Sequence, residues 1–366
     1  MAKALMFVGS CTSKLGYVAK PAGQGISALR LDLETGAAEL LSQEANVVNP
    51  TFVAVAPDGR SLLAVSELAG AAEGLVSAYA IDAGSGRIGL LGRIGTHGYT
   101  PAHLGFDRNG RHAGVVNYSA VPAATHSASL LVVERTAEGG LGAVTGEAEH
   151  LGATGPDTAR QDRSHAHCVR WTPDNRFVVV ADLGLDRLVV HRFDAASGAL
   201  APHGEAALAP GAGPRHFVFH PNGRWAYVAN ELDSTVTSFA FAAAEGSFTP
   251  IGVTPTRPAG ASGINYPAAI ATDAAGQHVF VSNRGDDSLA RLAVGADGVA
   301  HFEAAMPSGG RVPRDFAFDP SGRLLAVANQ ESDRIDFFRY ADGRLTALGR
   351  LDIGSPTAIA FHPTLG

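Results

Sequence analysis

One tight-turn signature recurs along this chain, and its recurrence constrains the fold more than any other feature. Pro57-Asp58-Gly59-Arg60, Arg108-Asn109-Gly110-Arg111, Pro173-Asp174-Asn175-Arg176, Pro221-Asn222-Gly223-Arg224, Ala274-Ala275-Gly276-Gln277 and Pro320-Ser321-Gly322-Arg323 are six versions of it. Proline, where present, sets φ at the first corner, and Gly or Asn takes the positive φ at the second. Residues of high β propensity flank the turns, as at Phe217 to Phe219 and Ala226 to Ala229, so each turn marks a β-hairpin.

Upstream of the turns stands a second marker: Pro50, Pro101, Pro214, Pro267, Pro313 and Pro356, with Ala166 in the place of a seventh. Successive members lie 51, 65, 48, 53, 46 and 43 residues apart. Seven all-β units of about 50 residues have the size of propeller blades. The last unit has a first strand and turn in Ser355 to Pro363 and then stops at Gly366. Leu5-Met6-Phe7-Val8-Gly9-Ser10 reads like the second strand of other units, such as Leu324-Leu325-Ala326-Val327-Ala328-Asn329. The expectation is an all-β, seven-bladed β-propeller, one domain over residues 1–366, with the last blade closed by the N-terminal strand and no free edge left in the ring. So many turns account for 44 Gly and 20 Pro among 366 residues.

Composition excludes several partners. The net charge is −7 and no basic run marks a nucleic-acid footprint. No apolar run approaches the roughly 18 residues of a membrane helix, and Met1 to Ser10 lacks a secretory core and cleavage site. Cys11 and Cys168 form neither a CxxC nor a metal pattern. The expectation is a cytoplasmic protein with no nucleic-acid partner, no membrane partner and no cofactor.

The repeat supplies an internal control for locating a site. The column ending the second strands, Ser10, Ser66, Asn117, Asp182, Asn230, Asn283 and Asn329, is uniformly small and hydrogen-bonding, as a strand terminus requires. It reads mainly as scaffold, with Asp182 and Asn283 retained as substrate-binding candidates. The next column is Cys11, Glu67, Tyr118, Leu183, Glu231, Arg284 and Gln330. Just after the proline column stand Thr51, Ala102, His167, Arg215, Ala268, Arg314 and Thr357. Hairpin geometry places both sets at one mouth of the ring, and no scaffold requires that chemical spread. Buried charges need partners or a ligand. Arg215–Glu231 or Arg314–Glu67 pairs filling the tunnel are one solution. Three arginines exceed the nearby glutamates, however, and a guanidinium fork fits carboxylate or phosphate, so a small anionic guest is expected.

The third unit departs furthest from the pattern. It has the longest interval and lacks the proline, and Gly155 to Arg163 precede Ser164-His165-Ala166-His167. On a strand His165 and His167 point the same way. Spacing identifies no third metal ligand, so acid/base chemistry beneath a covering loop is the better reading. A Ca²⁺ held by Asp182, Asn230, Glu231 and Asn283 is disfavoured because three arginines would repel it.

These motifs, together with Arg160-Gln161, Asp182-Leu183-Gly184-Leu185-Asp186, Gly213-Pro214-Arg215-His216, Asn230-Glu231-Leu232, Ser282-Asn283-Arg284-Gly285, Pro313-Arg314-Asp315-Phe316 and Asn329-Gln330, resemble the seven-bladed-propeller lactonase family. That family includes propeller-type 6-phosphogluconolactonases and fungal 3-carboxy-cis,cis-muconate cycloisomerases. The resemblance implies a metal-free site at His167, Arg215, Glu231 and Arg284, all four of which the repeat also selects. It implies hydrolysis of a small anionic lactone, with a lactonizing cycloisomerase or a non-catalytic binding propeller as alternatives. Glu231 or His167 would be the base, and Arg215 and Arg284 would hold the anion and the oxyanion. His165, His216, Arg314, Gln330, Asp182, Asn283, Tyr118 and Glu67 complete the expected substrate-binding set.

Overall fold

Each turn signature forms a hairpin in the computed structural model, and Gly59, Gly110, Asn175, Gly223, Gly276 and Gly322 all have φ between 63° and 72°. The structure describes residues 2–18, 20–68, 70–71, 73–119 and 127–365; Met1 and Gly366 lie outside it. The hairpins extend into seven four-stranded sheets whose neighbouring strands run antiparallel. In chain order, the first strands of the blades are Val53–Val55, Tyr99–Phe106, Ala166–Trp171, Pro214–Phe219, Tyr266–Thr272, Pro313–Phe318 and Pro356–Leu365. Each touches the first strands of the blades on either side, so together they form the inner ring.

The seventh blade is built from both ends of the chain, as expected. Pro356–Leu365 pairs with Lys3–Ser10, which continues to Ile26–Asp32 and Ala38–Glu44. Seven hydrophobic clusters of buried residues lie one at each junction between neighbouring blades. Phe217, for example, packs with Phe177 and Phe239 between the third and fourth blades. Hydrophobic burial thus joins blade to blade, while hydrogen bonds join the strands within each blade.

The register holds a feature that sequence patterning does not reveal. In six blades the proline-column residue pairs directly with the small polar residue ending the second strand, and a β-bulge follows at once. Pro214 pairs with Asn230, then His216 with Ala229, leaving Arg215 as the extra residue. The equivalent extra residues are Ala102, His167, Arg314 and Thr357, with Ala268 in the fifth blade. A bulge breaks the ladder at one residue and re-aims its side chain. The chemically varied column is therefore a ring of bulged residues near the mouth. Among the described residues no helix is long and apolar enough to cross a membrane.

Candidate active site

At that mouth lies a cavity of about 620 Å³. The bulges supply His167 and Arg314, and the ends of second strands supply Glu67, Tyr118, Glu231 and Arg284. The insertion before the third blade supplies Arg160, and the segment after the first strand of the chain supplies Leu15, Gly16 and Tyr17. A void of about 20 Å³ lies deeper, lined by Arg215, His216 and Asp315 and sharing His167, Glu67 and Arg314 with the cavity above.

Glu231 organises the charged part of the site. One carboxylate oxygen accepts from Arg160 Nη2. The other lies 2.8 Å from Arg284 Nη2 and 3.0 Å from Arg215 Nε. The Arg215 contact is an ion pair without hydrogen-bond alignment, and its buried Nη1 also has no partner. Burial alone would raise the Glu231 carboxyl, but Arg284, Arg215 and Arg160 outweigh it and hold the group well below the usual carboxylate range. Burial, reinforced by Arg284 and Arg314, draws Arg215 down to about 9, still protonated at neutral pH. Three cations on one anion leave the cluster positive, as an anion-binding site requires.

His167 sits beside this cluster with the opposite character. Burial, aided by the Arg215 charge, holds its imidazole well below the ordinary histidine value, so the ring is neutral at pH 7. Its Nδ1 is buried without a partner. His216 forms a second layer behind it, edge-on to His167 at 5.3 Å and to His103 at 5.1 Å between centroids. Burial likewise keeps His216 and His103 neutral.

The insertion is clamped from below. Gln161 Nε2 donates to Leu183 O and Asp186 Oδ1, both at 2.8 Å, and Gly155 N donates to Gly184 O at 2.9 Å. Asp186 also accepts from Gly211 N and Gly213 N at 2.7 Å, tying the insertion to the segment that delivers Arg215. Gly184 is required for this approach, since a Cβ there would meet Arg163 O at 1.7 Å. The clamp presents Arg160 to Glu231 and to Tyr118 Oη at 3.5 Å, with Tyr266 beneath the guanidinium.

Not every expected site residue reaches the cavity. Asp182 is fully buried and accepts from Ser164 Oγ and His165 N while bonding His150 Nδ1, so it secures the scaffold. Asn283, equally buried, donates to Thr256 O and bonds Ser288 and Asn265. His165 stacks on Tyr118 with Nδ1 at Tyr118 O and Nε2 at Asp162 Oδ1, which occupies both nitrogens. Gln330 is buried and donates to Glu331 Oε1. None of these four lines the cavity. Conversely, Arg160, Tyr17 and Tyr266 line it although the repeat columns do not single them out. Arg160 alone had a signal, its place in the insertion. Among the described residues no three His, Cys, Asp or Glu side chains converge to hold a metal ion.

Comparison with known proteins matches residues 5–361 to the family described as "Lactonase, 7-bladed beta-propeller". A 6-phosphogluconolactonase of Bacillus subtilis is 32% identical over 357 residues, covering 96% of this chain and 99% of that one. A 6-phosphogluconolactonase of Formosa agariphila is 32% identical over 345 residues, covering 91% and 92%. The structure of the periplasmic gluconolactonase PpgL from Pseudomonas aeruginosa superposes with a TM-score of 0.88 at 30% identity, over 98% of this chain and 99% of that one. None of these three carries a cycloisomerase name.

Proposed function

The chain belongs to the seven-bladed β-propeller lactonase family, and on that premise we propose that it hydrolyses a small anionic lactone by acid/base catalysis without a metal. The observation that carries this reading is a neutral imidazole, its Nδ1 without a hydrogen-bond partner, beside an arginine-clamped carboxylate, both on one cavity. His167 takes a proton from water as the oxygen attacks the lactone carbonyl. The carbonyl oxygen becomes an oxyanion facing Arg284 and Arg160, whose charges are fixed before the reaction begins. The tetrahedral intermediate collapses with cleavage of the ring C–O bond, and the protonated His167 returns its proton to the alkoxide. The product is a hydroxy acid, ionised at neutral pH.

This scheme chooses between the two bases expected from sequence. A carboxylate held far down by three arginines is a weak proton acceptor, so Glu231 is an organiser of Arg160, Arg215 and Arg284 and His167 is the base. The relatives named above supply no support for a cycloisomerase reading, and the clustered charges at the cavity argue against a passive scaffold. Acid release from glucono-δ-lactone and its 6-phosphate tests the proposal: His167→Ala should lose at least about 100-fold in kcat, and wild-type protein inert to both lactones would overturn it. We also place the protein in the cytoplasm; recovery in a periplasmic fraction, the compartment in the name of the P. aeruginosa neighbour, would reverse that placement.

A further inference from the structure

We propose that Arg314 and Tyr17 form an anion-binding subsite, distinct from the Glu231 cluster, that holds the phosphate or carboxylate substituent of the substrate. This rests on the lactone reading for its substrate but not for its chemistry. Arg160, Arg215 and Arg284 all face Glu231. Arg314 lines the same cavity and, among the described residues, has neither an ion pair nor a hydrogen bond. It is held instead by one face. Its guanidinium carbon lies 4.0 Å from the centroid of the Tyr17 ring, a stacked geometry that orients the group while leaving its N–H edges unused.

The surroundings fix that platform. Tyr17 Oη donates to Glu67 Oε1 at 2.8 Å, and Thr51 Oγ1 donates to the same oxygen at 2.5 Å. Glu67, which lines the cavity too, accepts from two neutral hydroxyls, and its charge favours the Arg314 guanidinium without an ion-pair contact that would occupy the N–H edges. Arg314 is itself a bulged residue, the extra one between the Pro313–Asn329 and Asp315–Ala328 pairs, so its backbone is fixed by the ring. A planar fork stacked on one face and unsatisfied along its edges fits a bidentate oxyanion. Phosphate and carboxylate share this chemistry. The lactone carbonyl would then face Arg284 and Arg160, and the substituent Arg314, so arginines with different partners orient the two ends of the substrate.

The test pairs calorimetry with kinetics on the full chain. Inorganic phosphate and succinate are titrated into wild-type protein, Arg314→Ala, Arg314→Lys and Tyr17→Leu. The subsite requires at least one anion to bind the wild type and to weaken about 10- to 100-fold in Arg314→Ala, the scale of a lost charge-assisted hydrogen bond. Arg314→Lys, which keeps the charge but not the fork, should lie between them, and Tyr17→Leu should weaken binding about 5-fold. Phosphate binding alone points to a phosphorylated substrate, and succinate binding alone to a carboxylated one. With substrate, Arg314→Ala should raise KM at least about 10-fold more for the 6-phosphate than for the neutral lactone. Equal losses on both lactones, anions that bind the variant as tightly as wild type, or no anion binding to wild type would each overturn the subsite. If neither lactone turns over, the catalytic reading fails while calorimetry still decides the subsite.

Discussion

Replacing Glu231 by Gln separates an organising carboxylate from a catalytic base. The side chains of Glu231 and Arg215 are 5% and 4% exposed, and that of Arg284 is 14% exposed. Gln keeps the shape but removes the one carboxylate that, among the described residues, pairs with all three arginines. Leaving one half of a buried pair uncompensated costs about 3–5 kcal/mol, and two of the three arginines here are close to fully buried. The loss should therefore approach that range in urea-midpoint measurements at pH 7, alongside a fall in kcat. Its pH dependence follows from the sign of the shift. The carboxyl is lower in the folded state than in the unfolded chain, so the stabilisation is full above about pH 4.3 and is lost as pH falls towards the folded value. The wild-type advantage should thus shrink only in strong acid. A variant that loses turnover but keeps its midpoint within about 1 kcal/mol at pH 7 would make Glu231 the base and refute the organiser role.

Further outcomes follow from the same geometry. Burial depresses His103, His167 and His216, so their neutral forms stabilise the fold fully above about pH 6.5 and less as pH falls. Stability should drop by up to about 1.4 kcal/mol per pH unit for each between pH 6 and 5, and a flat denaturation profile there contradicts their burial. The acid limb of kcat/KM should lie well below pH 6.5, since a depressed His167 stays deprotonated; a limb at or above 6.5 removes it as the base. Prolonged chelation followed by assay without added metal should leave activity within about 2-fold, because an active-site metal typically supplies several kcal/mol of the barrier reduction; a large loss restored by a divalent cation defeats the metal-free scheme. Gly184→Ala should displace the insertion, costing about 1–3 kcal/mol in stability by overpacking and lowering kcat/KM through Arg160. Normal kinetics with unchanged proteolysis of residues 155–163 would show that the clamp does not set Arg160.

The ring was legible in the sequence because its punctuation is chemical. A positive φ at Gly223 or Asn175 and a fixed φ at Pro214 are local demands that any single unit displays. His167, Arg215, Glu231 and Arg284 were legible for the complementary reason, that they break columns which backbone geometry otherwise keeps uniform. The bulges were not, because two residues facing one is a property of a strand pair, not of either strand. Asp182 and Asn283 were overread: a small polar side chain at a strand end looks the same whether its partner is a neighbouring loop or a ligand, and here His150, Ser164, Thr256 and Ser288 are the partners. Tyr17 and Tyr266 were missed since they lie outside both varied columns, and only the packed ring brings them to the cavity.

Closure by Lys3–Ser10 against Pro356–Leu365 also places the mouth under the control of time. Tyr17 is made long before Arg314, and although Lys3–Ser10 can pair early with Ile26–Asp32, its inner edge stays unpaired until Pro356–Leu365 has been made. The ring, and with it the stacking of Arg314 on Tyr17, can therefore be completed only after Pro356–Leu365 has been made.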